Sequence, residues 1–582
     1  MKGLRHLIAA MAGPMSLFAA REDIPLDVWR MEPRTPVLEK SCSSGLHGRV
    51  AELERINADN AVAAETRDWS GTAWRGERIH AQFVVWTDLP KGRLRAEPPM
   101  FVAPSGARLP AGSVSVRFVR HVFASQQARN RQVALPERLV GDCLDDIESL
   151  NLPTNGYRAV WLTVDVPMSA VPGAYRGALR LKTDVGSLAF GLSLKVLHRT
   201  LPPLEKRTFF LDLWQHPWAV ARYHGVRPFS DEHLALMKPL LKMLAEAGQR
   251  TITVTLTDLP WSHNNYDAYH AMIRHVRNAD GSWTRDYSLF DKYVRFAKAC
   301  GIGPQIHCYS IAPWGHRVYY EDGVTGNRVC ETLKAGEGGY ERFWGPLLAE
   351  LEKHVRENGW LGETYVAADE TEPEELRAML ACVCRHAPGL KIAMAGNGLS
   401  EAVADLGLDA YSQALERAPL RRPNVAHDVT FYPCNFPTRP NTFTTSPLVE
   451  SHWMGLYAAA KGYDGMLRWA GFNWPRDPLF DSAFGGLPAG DTFLIYPGAR
   501  ASTRWELLRD GIEDFEKISV LRRGGEMTQK LEAALSAIDM PDERNSAAEE
   551  TRKRVNAVVD ELCLDEMPAA NCRGKKDRKV TP

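Results

Sequence analysis

The chain has 582 residues, more than one hydrophobic core supports, so two or three domains are expected. It is 45% hydrophobic and 24% charged, as in globular proteins, and its 71 basic and 71 acidic residues cancel. The basic residues are scattered except in the tail, which argues against nucleic acid or a membrane surface as partner. No run after the N-terminus is long enough to span a bilayer.

At the N-terminus, Lys2, Arg5 and His6 precede the apolar run Leu7 to Ala20, which has the form of a short signal-peptide core over residues 1–20. Leu17 and Phe18 stand where a cleavage site wants small residues, and Pro14 interrupts the run. The expectation is export to the periplasm or the medium if this segment is a signal, and a cytoplasmic protein otherwise.

From Trp69 to Pro203 the pattern is strands and turns. Glu77 to Trp86, Ser113 to Phe118 and Tyr157 to Val166 alternate apolar and polar residues. Pro172 to Gly177 reads as a turn before a strand over Ala178 to Lys182, and Leu188 to Leu197 closes the set. Short strands at this spacing predict a β-sandwich within residues 21–203, with Leu201-Pro202-Pro203 as the linker out of it.

The rhythm then becomes strand, helix, strand, helix. Strands are predicted over Thr208 to Leu213, Thr251 to Leu256, Pro304 to Tyr309 and Thr364 to Ala368. Four more follow over Lys391 to Ala395, Leu408 to Tyr411, Val429 to Tyr432 and Gly465 to Trp469. Helices over Asp231 to Ala247, Phe290 to Cys300, Tyr340 to Glu357 and Glu374 to His386 have recognisable caps or proline boundaries. Eight strands with intervening helices predict a (β/α)8 TIM-type barrel over 204–526. Asp491 to Gly498 adds a strand and turn, and Trp505 to Arg522 reads as a strongly amphipathic helix. C-terminal helices are expected within 527–573, including one from about Ala547 to Leu562, and a disordered basic tail over 574–582.

Chemistry in such a barrel sits at the C-terminal ends of the strands. Those ends carry Trp214 and His216, Trp261 beside Asp258, Tyr309 before Trp314, then Asn397, Tyr411, Tyr432, Trp469 and Trp474. The fourth strand runs into Asp369 and Glu370, followed by Thr371, Glu372 and Pro373. Aromatics and amides around one carboxylate pair describe a carbohydrate site. Two readings of the pair stay open. Adjacent carboxylates do not both ionise easily, so one can hold a proton and donate it while the other stabilises positive charge. Alternatively the acids simply meet the dipole of the helix that Pro373 opens.

The other candidates are weaker. Each tryptophan has core packing as its competing explanation. His307, inside a strand, reads as a satisfied core histidine, whereas His216 and His452 are better placed for sugar contact. Arg468 is read as pairing with a carboxylate, either at the mouth or structurally. The ten cysteines show no zinc-type spacing, and no metal site or cofactor is expected.

The pair after strand four resembles the signature of glycoside hydrolase family 123. So do the blocks Pro172 to Gly177, Leu211 to Pro217 and Gly465 to Trp474, and Gly490 to Gly498 followed by Arg504 to Phe515. The resemblance covers Trp74 to Arg522. It implies a β-sandwich followed by a (β/α)8 catalytic domain, and a retaining β-N-acetylgalactosaminidase working by substrate-assisted catalysis. Carried onto this chain, Glu370 is the general acid/base and Asp369 orients the substrate's 2-acetamido group. The expected partner is a glycan with a terminal β-linked N-acetylhexosamine. A catalytically silent glycan-binding barrel and a glycosidase for β-GlcNAc or a non-acetamido sugar are the alternatives. The family pattern places proline directly after the pair, whereas here Thr371 and Glu372 intervene.

Overall fold

The computed structural model describes residues 45–564 apart from 58, 89–91, 125–137, 185, 398–402, 404–405, 416–427, 526–528 and 540–544. The apolar run Leu7 to Ala20 and the tail 574–582 lie outside the described residues.

Two five-stranded sheets form the expected sandwich. One is ordered Leu46–Val50, Arg78–Thr87, Gly156–Asp165, Val114–Ala124, Arg138–Asp145, and is antiparallel throughout. The other is ordered Asp68–Arg75, Gly186–Thr200, Gly173–Thr183, Gly92–Glu97, Ser149–Leu152. Phe83, Val85, Val160 and Leu162 face Phe190, Leu192 and Leu181 between the sheets. The strand period of two sends their neighbours Val84, Trp86, Ala159 and Trp161 to the opposite face, where they join the barrel's core. This is why Gly156–Asp165 is buried at almost every position instead of alternating. The expected turn Pro172 to Gly177 is mostly strand, because Gly173 to Gly177 pair with Val196 back to Leu192.

Eight parallel strands follow in sequence order around a barrel: Phe210–Leu213, Thr251–Thr255, Gln305–Tyr309, Thr364–Asp369, Lys391–Gly396, Ala410–Ala414, Asp428–Tyr432 and Gly465–Arg468. The eighth strand pairs with the first, and the first meets the second where Arg250 N donates to Leu211 O at 2.8 Å, closing the ring. Helices Asp231–Glu246, Ser288–Ala299, Gly338–Glu357 and Pro373–His386 fall within two residues of their predicted limits. Loops after strands two and three carry hairpins absent from the sequence reading, Arg274–Arg277 with Trp283–Asp286 and Arg317–Asp322 with Arg328–Thr332. They join into one outer four-stranded sheet.

Helix Leu448–Lys461 packs against Thr503–Arg523 through two glycines. A Cβ on Gly455 would lie 1.9 Å from Gly511 O, so only hydrogen fits at that crossing. Thr503–Arg523 is not amphipathic as expected, because its charged residues Arg504, Glu506, Glu513, Asp514, Glu516 and Lys517 are buried. Most of their partners come from the sandwich and the linker. Glu506 meets Arg117 at 2.7 Å, and His80 lies 3.1 Å from Glu506 and 2.8 Å from Asp510. Lys517 bonds Glu77 and, at 3.0 Å, Asp514, while Glu516 accepts the Phe209 amide. Arg504 and Arg55 both pair with the fully buried Asp142. The helix is thus the seam between sandwich and barrel. Helices Gln529–Ser536 and Asn545–Leu564, both within the stretch where C-terminal helices are expected, complete the described chain. Among the described residues no helix is long and apolar enough to cross a membrane.

Candidate active site

Asp369 is the last residue of the fourth barrel strand and is buried, with only 8% of its surface exposed. Glu370 follows it out of the strand, is exposed, and adopts φ 49°, in the left-handed region that a residue with a Cβ adopts only at a cost. Its amide donates to Ala395 O of the fifth strand at 2.7 Å, which anchors the turn. On a regular strand the two side chains would point to opposite faces; the turn at Glu370 breaks that alternation. Both carboxylates act electrostatically on the Tyr432 phenol. Burial, reinforced by the charge on Glu370, holds the Asp369 carboxyl well above the usual carboxylate range, with the Trp261 side chain pulling it partly back.

Tyr432, at the end of the seventh strand, donates its hydroxyl to Glu370 Oε1 at 3.1 Å and stands 3.4 Å from Asn397 Oδ1. Burial and the two carboxylates raise the phenol well above its ordinary value, so it stays a donor. Asn397 is exposed beyond the fifth strand. Tyr411 is buried on the sixth, its hydroxyl 2.8 Å from where a Cβ on Gly396 would lie.

Behind Asp369 lies an aromatic wall. Trp214 stacks on Trp261 with centroids 4.5 Å apart, and Tyr309 packs 4.6 Å from Trp214 and 5.3 Å from Trp261. All three are buried. Beneath them Asp212 of the first strand accepts from the Thr251 hydroxyl, and burial pushes its carboxyl up to about 7. Trp469, half-buried after the eighth strand, has an indole Nε1 without a protein partner.

Other candidates stand elsewhere. His216 is fully buried; its Nδ1 accepts from the Ala219 amide at 3.3 Å and caps the helix Pro217–His224, while Nε2 pairs with Asp267 O at 3.1 Å. Burial brings its pKa down to about 3, so it is a neutral structural ring. Trp474 is also fully buried, donating from Nε1 to Ile495 O at 2.7 Å. His452 is not at the mouth; it pairs with Asp514 at 2.6 Å inside the seam. Arg468 bonds Asp491 at 2.8 Å with both side chains fully buried, the structural alternative. His307 is a buried core residue 2.8 Å from Gln305 Oε1. Among the described residues no group of three or more His, Cys, Asp or Glu could hold a metal ion.

Glu372 is exposed and occupies the N-cap of the helix opened by Pro373. Glu374 and Glu375 occupy that helix's first turn, and Glu375 meets His316 at 2.9 Å. The helix-dipole role therefore falls on the acids after the pair. The sequence reading missed Tyr269, a loop residue with its ring 3.7 Å from His216 and 4.8 Å from Trp261, and Asp212. Nothing local marks either one.

The arrangement is a buried carboxyl beside an exposed one that accepts from a phenol, backed by indoles. The family described as glycoside hydrolase 123, catalytic domain, matches residues 214–521, and the glycoside hydrolase 123 N-terminal domain matches residues 54–183. A family 123 glycoside hydrolase from Clostridium perfringens, solved for the details of glycolipid glycan hydrolysis, is similar in fold at 22% identity. The match covers 89% of this chain and 98% of that one with a TM-score of 0.83. A Bacteroides uniformis β-glucuronidase 3 is 10% identical, covering 81% of this chain and 52% of that one, with a TM-score of only 0.27. No curated protein matches the chain. With its catalytic-domain match alone spanning more than half of its length, the chain belongs to glycoside hydrolase family 123 and is a glycoside hydrolase.

Proposed function

We propose that the protein is a retaining, exo-acting β-N-acetylgalactosaminidase that removes terminal β-GalNAc from glycans by substrate-assisted hydrolysis. The observation that carries this reading is the local pair itself: Asp369 buried, its carboxyl pushed up by burial and by Glu370, and Glu370 exposed and held by Tyr432. Burial and the neighbouring Glu370 charge favour the protonated form of Asp369 in the free enzyme. A substrate acetamide N–H donating to Asp369 stabilises the ionised form there, and the proton is then carried by Glu370.

Glu370 gives that proton to the glycosidic oxygen as the bond to the anomeric carbon breaks. The acetamido carbonyl oxygen attacks the same carbon from the opposite face, forming an oxazolinium whose positive charge Asp369 stabilises. Glu370, now ionised, takes a proton from water, and the water oxygen opens the ring from the face the aglycone left. Two inversions retain the β configuration. The substrate supplies the nucleophile, so the protein needs only this one pair. Half-buried Trp469 offers apolar surface to the sugar, while the buried Trp214, Trp261 and Tyr309 back Asp369. The proposal includes export through the Leu7 to Ala20 segment, which N-terminal sequencing of the mature protein tests.

The function is tested with paired chromogenic β-GalNAc, β-GlcNAc and β-galactoside substrates, using wild type and Glu370→Gln. Release from β-GalNAc alone, abolished in the variant, is the expected result. Release from the β-galactoside would overturn the acetamido mechanism. Silence towards all three by a folded protein would overturn the activity in favour of a binding barrel.

A further inference from the structure

A second concave site lies away from Asp369 and Glu370. A cavity of about 310 Å³ opens where the sandwich, the seam helix Thr503–Arg523 and the last helix Asn545–Leu564 meet. That volume is at the lower end of small-ligand pockets, enough for one sugar ring.

Its walls follow from helical spacing. Arg552, Asn556 and Asp560 recur every four residues on the last helix and so share one face. Asp510, Asp514 and Lys517 share a face of the seam helix by the same rule. The strands Asp68–Arg75 and Arg78–Thr87 supply the remaining side, with Ser70, Thr72 and Gln82 among its polar groups.

The charge count argues for an uncharged occupant. Five carboxylates line the cavity (Glu52, Glu77, Asp510, Asp514, Asp560) against four Lys or Arg side chains (Arg78, Lys517, Arg552, Lys553). Two imidazoles join them, His80 between Asp510 and Glu506 and His452 on Asp514, so the acidic and basic side chains of the wall largely pair with one another. Neither an anion nor a cation is called for.

Hydrogen-bonding capacity is nonetheless left over. Trp161 lines the cavity, is 1% exposed, and its indole N–H has no protein partner; Arg552 Nε is likewise buried without one. Leaving such donors unmet is costly. A ligand whose groups both donate and accept, packed closely together, satisfies a wall of mixed sign. That describes a polyol.

We infer that this cavity is a second, non-catalytic binding site for a single uncharged sugar unit, either a free monosaccharide or one residue of a glycan chain. It does not depend on which sugar the barrel hydrolyses.

The test is calorimetric and ligand-observed NMR titration with N-acetylgalactosamine, galactose and a β-GalNAc-terminated oligosaccharide. The full-length protein carries Asp369→Ala and Glu370→Ala so that the barrel cleft is disabled. Saturable binding that persists there, and falls at least tenfold on adding Asn556→Trp to fill the cavity or Trp161→Phe to remove the N–H, is the expected result. Binding by the monosaccharides assigns a free-sugar site, and binding by the oligosaccharide alone assigns a chain site. No saturable binding by the cleft-disabled protein, or binding that neither cavity variant weakens while both remain folded, overturns the inference. Asn556→Trp in the otherwise wild-type protein should hydrolyse substrate as before. Loss of all hydrolysis in wild type alongside retained cavity binding would instead sink the proposed function alone.

Discussion

Tyr432 Oη donates to Glu370 Oε1 across 3.1 Å, tying the end of the seventh barrel strand to the residue that leaves the fourth. The bond holds an exposed carboxylate whose backbone already sits at φ 49°. Tyr432→Phe keeps the ring and removes the donor. Activity on the best chromogenic substrate should fall roughly tenfold, the worth of one hydrogen bond to a charged group, with the loss in kcat and little change in KM. Steady-state kinetics and an unchanged melting curve check it.

Asp369→Asn should trade activity for stability. The native carboxyl stays protonated well above the range in which an unfolded aspartate ionises, because it is buried and faces Glu370. Below the unfolded pKa, about 4, both states are protonated and the group is silent. As pH rises past it, only the unfolded state ionises, so the native state loses relative stability until its own carboxyl ionises. The variant should therefore melt like wild type near pH 4, melt higher at neutral pH, and hydrolyse poorly.

His80 gives the opposite sign. Burial opposes its charge, but Asp510 and Glu506 prevail and raise its pKa to about 9. This stability is fully present below the unfolded value of about 6.5 and is lost as pH rises through about 9. A shift of this size corresponds to about 3 kcal/mol at most. Melting temperatures of wild type and His80→Gln should differ most below pH 6.5 and converge above pH 9.

Breaking the Arg468–Asp491 pair should be expensive. Both side chains are fully buried, and Arg468 also bonds Pro433 O and Asn441 Oδ1. Asp491→Ala strands the guanidinium and should cost about 3–5 kcal/mol in denaturant titrations. Replacing both by Met and Leu should recover much of that loss.

Gly455→Ala tests the helix crossing. The added methyl would overlap Gly511 O, and the cost should be about 1–3 kcal/mol by chemical unfolding, as for overpacked cores. Turnover per folded molecule should not change.

The barrel was legible because its strands are apolar runs bounded by helices with clear caps, such as Ser230 before Asp231–Glu246. Asp369 and Glu370 stood out because carboxylates ending an apolar run need a reason to be there. The seam was not legible. Glu506 and Lys517 read as one solvated helix face, yet their partners Arg117 and Glu77 lie 389 and 440 residues away in the chain. Periodicity reports which residues share a face and is silent on what covers it. His216 and Trp474 failed for a related reason: strand-end position put them near the mouth, while one turned inward to cap a helix and the other to reach Ile495 O. The outer hairpins escaped notice because strands of four to six residues rich in Arg and Glu carry little alternating signal.

The buried charges along Thr503–Arg523 also bear on heredity. A module that can be shuffled between proteins presents its host with a neutral, replaceable surface. Here each half would, on separation, expose or orphan ions whose partners lie in the other half, with Glu77 losing Lys517 and Glu506 losing Arg117 and His80. Exchanging the sandwich for an unrelated one would leave those buried charges unpaired and the chain destabilised. On these energetics the two parts would be expected to be inherited as a unit, with a change at one side of the seam tolerated best when its partner changes too.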